Sequence, residues 1–134
     1  MANAGDSYNV ELRETHLDWG NYRNTMTRNR IDGEGYIPIP LHEAKRFNIY
    51  NSNFSGDRLG YNLFRCRSTD GFFDDIILKA AGNKEKGDIY AKQFQGNGDL
   101  KALGKWFDYC SAKPGDIVKV TWESPTDIVI ELIK

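Results

Sequence analysis

The clearest hydrophobic pattern in the chain lies at its end. Val118, Val120 and Trp122 alternate with Lys119, Thr121 and Glu123, and Ile128, Ile130 and Leu132 alternate with Val129, Glu131 and Ile133. A period of two residues is that of a half-buried strand. Lys113-Pro114-Gly115-Asp116 precedes the first run and Ser124-Pro125-Thr126-Asp127 joins the two, and both carry turn chemistry, so the segment predicts a hairpin. Shorter runs predict strands at Asn9–Glu14, Gly35–Ile39, Tyr61–Arg67, Phe72–Lys79 and about Asp88–Phe94. Helical spacing is different: Leu100, Leu103, Trp106, Phe107 and Cys110 fall on one face and predict a helix from Asp99 to Cys110. Asp99, after Gly96-Asn97-Gly98, is its expected N-cap. A shorter helix is expected from Leu41 to Phe47, entered through Pro40. Seven short strands and two helices predict a mainly β fold, a small and mostly antiparallel barrel. Its expected core is Ile37, Phe64, Ile76, Leu78, Leu100, Leu103, Phe107, Val120, Trp122, Ile128 and Ile130.

One stretch has neither periodicity. Between His16 and Glu34 the chain is long, polar and rich in Asn and Arg, with Trp19, Tyr22 and Met26 set among them. Segments of that length without regular structure are usually functional or disordered, and the three large apolar residues argue against plain disorder.

Length and composition add bounds. The 134 residues, 40% hydrophobic and 13% aromatic, suit one domain spanning 1–134 with one core. No apolar run approaches the length of a membrane span, and the first residues have no basic and apolar leader pattern, so a cytoplasmic protein without membrane attachment is expected. Cys66 and Cys110 are too few and too far apart for a disulfide scaffold or a zinc knuckle. Both read as small buried hydrophobes.

The formal net charge of −1 hides segregation. From Gly20 to Ile31 there are three arginines and no acid. From Lys79 to Lys105 six lysines face Glu85, Asp88 and Asp99, whereas Asp108 to Lys134 is acidic. Two basic islands on a neutral body suit a shaped binding surface better than a general polyanion trap.

Catalytic signatures are weak. His16 and His42 have no second ligand at metal spacing, and His42-Glu43 lacks the second His of a zinc-protease helix, since Arg46 stands there. Glu43-Ala44-Lys45 spells a nuclease-like acid-x-Lys unit but falls in a predicted helix. Asp74-Asp75 falls in a predicted strand, where neighbouring side chains point to opposite faces and would not share one Mg²⁺. No catalytic group, metal site or cofactor is expected.

The islands carry the recognition chemistry. In the first, Asn21, Tyr22, Arg23, Asn24, Thr25, Thr27, Arg28, Asn29 and Arg30 offer groups that meet base edges or phosphates, Arg fitting guanine and Asn fitting adenine bidentately. In the second, Lys84, Lys86, Asp88, Tyr90, Lys92, Gln93, Gln95 and Asn97 do the same just ahead of the helix. Taken singly, the first also reads as an exposed polar loop and the second as an edge strand guarded by lysines. Together they read as two arms on one barrel, reaching around a duplex.

Several of these residues resemble a known family. Leu17-Asp18-Trp19-Gly20, the stretch ending Arg28-Asn29-Arg30, and Glu34-Gly35-Tyr36-Ile37-Pro38-Ile39-Pro40 are similar to the opening of a restriction-enzyme specificity domain. That domain occurs at the C-terminus of BfiI-type and NgoAVII-type endonucleases and is related to the EcoRII N-terminal effector domain and the plant B3 domain. Leu103-Gly104-Lys105-Trp106-Phe107 and the Pro114-Gly115-Asp116 turn extend the resemblance from about His16 to the end of the chain. It implies a seven-stranded B3-like pseudobarrel that reads the DNA major groove with an N-arm, about 19–32, and a C-arm, about 86–97. Trp19, Tyr36 and Trp106 would then anchor the arms. The implied function is sequence-specific binding of double-stranded DNA, as the recognition domain of a restriction endonuclease or as a standalone specificity subunit. Catalysis would come from a nuclease domain or subunit outside this chain. A reader of modified or single-stranded DNA, a small Mg²⁺-dependent nuclease with a dispersed site, and a protein-interaction barrel are the alternatives.

Overall fold

The structure, a computed structural model, describes residues 2–17, 35–82 and 88–134. Among them, seven strands form one mixed sheet that curls into a half-barrel. In chain order these are β1 (Ser7–Glu11), β2 (Ile37–Pro38), β3 (Leu63–Ser68), β4 (Ile76–Ala81), β5 (Gln93–Gly96), β6 (Ile117–Ser124) and β7 (Asp127–Ile133). Their order across the sheet is β1-β6-β7-β3-β4-β5-β2, antiparallel throughout except for the parallel pair β3–β7. The two edges of the sheet meet: the buried Tyr8 hydroxyl on β1 donates to the Pro38 carbonyl on β2 at 3.2 Å. A curled sheet whose edge strands are linked in this way leaves less unpaired backbone for adventitious strand addition.

Alternation decides which side chains fill the barrel. On β3 Phe64, Cys66 and Ser68 are buried while Arg65 and Arg67 are exposed, and on β6 Val118, Val120 and Trp122 point inward. Trp122 sits among aromatic rings, with Phe47 at 5.0 Å, Phe64 edge-on at 6.0 Å and Tyr8 at 6.2 Å. Phe47 comes from α2 (Leu41–Phe47), which is entered through Pro40 as the sequence predicts. Single helical turns lie at α1 (Glu14–Leu17) and α3 (Ser52–Ser55). The other main helix, α4 (Ala102–Tyr109), packs against β5 and buries Leu103, Gly104, Trp106 and Phe107. Among the described residues no helix is long and apolar enough to cross a membrane.

Departures from the sequence expectation have local causes. Asp99 does not cap α4. Its Oδ1 accepts from the Lys101 N–H at 3.0 Å, closing a turn that delays the helix to Ala102 and leaves Leu100 only partly buried. The strand expected at Phe72 starts at Ile76, and Ile76 itself is half-buried. Here side chains take the backbone donors that a ladder would use: Asp70 accepts from Phe72 N–H at 2.9 Å and the Ser68 hydroxyl from Phe73 N–H at 2.9 Å. The first strand runs from Ser7 to Glu11, because α1 begins at Glu14. β5 is confined to Gln93–Gly96, and residues 88–92 pair irregularly instead, with Lys92 N–H donating to Ala81 and Lys92 carbonyl accepting from Ile39 N–H.

Cys66 is the buried small residue expected, whereas Cys110 is partly exposed and donates its thiol to Asp70 at 3.0 Å. Burial, and then the hydrogen bond to the Asp70 carboxylate, push that thiol up to about 12, so it stays a donor.

Candidate nucleic-acid interface

The residues proposed for the N-arm (Asn21, Tyr22, Arg23, Asn24, Thr25, Thr27, Arg28, Asn29 and Arg30) lie outside the described residues, as do Lys84 and Lys86 of the C-arm. The points from which these segments depart are defined. The Tyr36 N–H donates to the His16 carbonyl at 3.0 Å, so both ends of the first segment are held together. One residue further, Ile37 of β2 pairs with Phe94 of β5. The segment following α1 and the strand carrying Gln93 and Gln95 are therefore rooted on two hydrogen-bonded neighbours, although nearly sixty residues separate Ile37 from Phe94 in sequence.

Gln93 and Gln95 alternate with buried Phe94 and Gly96, which turns both amides toward the outer face of the sheet. Gln95 is paired with Lys79 on β4, and Gln93 with Ala81 and with Pro38. Lys79 reaches Asp57 at 3.3 Å. Asn97 follows on the exposed turn, its N–H donating to the Ile77 carbonyl at 3.1 Å. Gly96 has no room for a side chain: a Cβ would collide with the Asp99 carbonyl oxygen and approach Ala102 Cβ at 2.8 Å. This close contact fixes where the strand gives way to the turn.

Asp88, Tyr90 and Lys92 gather elsewhere, along a groove of about 500 Å³ between that segment and Ile39 and Leu41. Asp88 Oδ2 is buried and takes no well-aligned hydrogen bond, and the Lys92 ammonium 3.1 Å away is what neutralises it. Lys92 remains half exposed, so its charge reaches solvent. Tyr90 stacks on Tyr50 with ring centres 5.7 Å apart and planes at 19°. Tyr50 stacks in turn on Tyr61 at 5.7 Å, and the Arg58 guanidinium lies 4.4 Å from the Tyr61 ring centre. Tyr50 and Tyr61 thus form a platform behind Tyr90, and the sequence reading passed over them. Asn51 and Asn62 are both fully buried and each follows a tyrosine, but Tyr8 is followed by the exposed Asn9, so the Tyr-Asn dipeptide does not mark the platform.

The acidic candidates for catalysis occupy other surroundings. Asp74 and Asp75 are exposed in the turn before β4 rather than within a strand. They border a shallow cleft of about 70 Å³ shared with Arg65 and Arg67. Arg67 grips Glu123 with two hydrogen bonds of 2.8 Å, and Arg65 pairs with Asp127 at 3.0 Å. Glu43 lies on α2, with His42 and Arg46 each 3.7 Å away. No three His, Cys, Asp or Glu side chains among the described residues come together as a metal site.

No protein-family model and no curated protein sequence matches the chain. Its fold does have a counterpart among solved structures. It is similar to the N-terminal domain of Helicobacter pylori LlaJI.R1, with a TM-score of 0.51 over 96% of this chain and 88% of that one. At 13% sequence identity, the likeness is one of architecture.

Proposed function

We propose that this chain binds double-stranded DNA sequence-specifically through the major groove, as the recognition domain of a restriction system. Residues 19–32 would act as N-arm and 86–97 as C-arm of a B3-like unit. The observation that carries this reading is the rooting of both segments on the paired strands β2 and β5, with Gln93 and Gln95 turned outward and Lys92 half exposed on the segment that leads into β5. Amide side chains held on a rigid strand suit base edges, and a lysine on an arm suits phosphate. The architectural likeness to a domain of LlaJI.R1, a restriction-enzyme designation, supports the same reading.

In this reading recognition is the chain's contribution, and cleavage belongs to a nuclease domain or subunit. Arg23, Arg28 and Arg30 of the N-arm, with Lys84, Lys86 and Lys92, serve phosphates and guanines. Asn21, Asn24, Asn29, Tyr90, Gln93 and Gln95 serve base edges. Tyr50 stacks on both Tyr61 and Tyr90, which engages one face of each of those rings within the protein and leaves less aromatic surface for base-stacking on single strands.

Selection of bound sites from a random duplex pool tests the proposal. The expected result is a consensus whose affinity exceeds that of scrambled duplex by about 10³ or more, each wrong base pair costing roughly 1–3 kcal/mol. A pool without consensus, or equal binding to single strands, would count against it.

A further inference from the structure

The platform behind the C-arm contains one residue with a special position. The segment Ile49–Asn51 runs beside Ile89–Ala91: Asn51 N–H donates to the Ile89 carbonyl at 2.9 Å, and Ala91 N–H to the Ile49 carbonyl at 3.0 Å. The Asn51 side chain, wholly buried, divides its two functions between two stretches of chain. Its Oδ1 accepts from Gly82 N–H at 2.8 Å, just after β4, and its Nδ2 donates to the Asp88 carbonyl at 2.9 Å, where the C-arm strand begins. Oδ1 also accepts from Asn53 N–H at 3.0 Å, and Asn53 Nδ2 donates to the Gly82 carbonyl at 3.0 Å.

Only a primary amide of this length satisfies a donor on one side and an acceptor on the other. Aspartate has no donor for the Asp88 carbonyl, and serine is too short to span both. Gly82 completes the fit, since a Cβ there would stand 3.1 Å from Asn51 Nδ2 and 3.3 Å from its Cγ.

Resting on the duplex-binding reading above, we propose that Asn51 is a positioning residue for recognition. It sets where the 88–92 segment lies relative to β4, and hence where Tyr90 and Lys92 meet the DNA. Lys92 lies in the segment that begins at Asp88, whose carbonyl Asn51 holds, so a shift of that segment moves the lysine with it. A buried amide that satisfies backbone groups at two points fixes geometry that a packed apolar residue would leave loose.

The test uses a fluorescein-labelled duplex selected by the parent protein from a random pool, with affinity measured by anisotropy across a salt series. Three variants are compared with the parent: Asn51→Asp, Gly82→Ala, and Ser68→Ala as a control. Ser68 is equally a buried polar residue, but it holds the turn at Asp70 and Phe73. Asn51→Asp is expected to weaken binding about tenfold, the scale of one or two lost hydrogen bonds. The slope of log K against log salt should shrink by about one unit as Lys92 leaves its phosphate. A smaller folded fraction would raise the apparent Kd by a constant factor without changing that slope, so the slope separates a displaced Lys92 from loss of stability alone. Gly82→Ala, which crowds the clasp from the other side, should move both quantities the same way and stands in if Asn51→Asp does not fold. Ser68→Ala should lower Tm and leave affinity and slope at the parent's values.

Parent-like affinity and slope in a folded Asn51→Asp or Gly82→Ala would overturn the assignment while leaving duplex binding intact. Failure of the parent to select any duplex would overturn the duplex reading, and this assignment with it.

Discussion

Asp70 shows how one side chain can displace a strand. Its carboxylate accepts from the Ser68 hydroxyl at 2.6 Å, Phe72 N–H at 2.9 Å, Trp106 Nε1 at 2.8 Å and the Cys110 thiol. Partial burial alone would raise its pKa, but these donors together outweigh it and hold the group at about 2, below the ordinary 3.8. A carboxyl with a depressed folded pKa adds stability that is full above the unfolded value and lost as pH falls through the folded one. The Asp70 contribution should therefore be complete at pH 7 and fade between about 4 and 2. Replacement by asparagine puts an NH₂ among four donors, so Asp70→Asn should lower the urea midpoint at pH 7. It should also shrink the drop in midpoint between pH 5 and 2.5. Equal pH dependence in parent and variant would show that other carboxylates carry it. Lys92 offers a second residue-scale test, because its ammonium is shared between Asp88 and any phosphate. Asp88→Asn removes the competitor, and should strengthen binding to all duplexes alike and steepen the salt slope, as measured by anisotropy on unrelated sequences.

Among the elements, legibility followed how local the determining forces are. The β6–β7 hairpin was readable because strict alternation and two Pro-containing turns agree, and its inward residues Val120, Trp122, Ile128 and Ile130 are all buried. Helix α4 was readable in its apolar face but not in its beginning, because Asp99 can serve as cap or as turn former and the sequence does not separate the two. At the candidate interface, Tyr90, Lys92, Gln93 and Gln95 stood out by composition. The platform of Tyr50, Asn51 and Tyr61 did not, since its contacts with Gly82, Asp88 and Tyr90 reach across more than thirty residues and have no local signature. Gly96 concentrates the consequences at the scale of one element. Gly96→Ala should destabilise the protein by about 2 kcal/mol or more in urea unfolding, because the new methyl meets backbone that cannot move without unseating α4. Its heavier cost should be in binding, as the shift displaces Gln95 one position away. A variant with parent stability would mean that the β5–α4 turn relaxes freely.

At the scale of the molecule, the curled sheet converts distance in sequence into adjacency in space. Linking Tyr8 to Pro38 brings the sheet edges together, and pairing Ile37 with Phe94 sets the bases of the two proposed arms side by side. Two segments so rooted would approach one duplex from a common base, and neither could substitute for the other. This geometry predicts how substitutions in the two arms combine. Arg28→Ala and Lys92→Ala should each weaken specific binding and each shrink the salt slope by about one unit, if each removes one phosphate contact. Contacts held by separate segments and sharing no partner should add, so the double variant should match the sum of the single losses within about 0.5 kcal/mol. Thermal stability should stay near the parent's in Arg28→Ala and fall modestly in Lys92→Ala, which leaves the buried Asp88 Oδ2 without the cation that neutralises it. A double variant no weaker than Arg28→Ala alone would mean that the second arm engages only after the first. Were Arg28→Ala instead to unfold the protein, the first segment would be part of the barrel's framework, and the two-arm mechanism would fail.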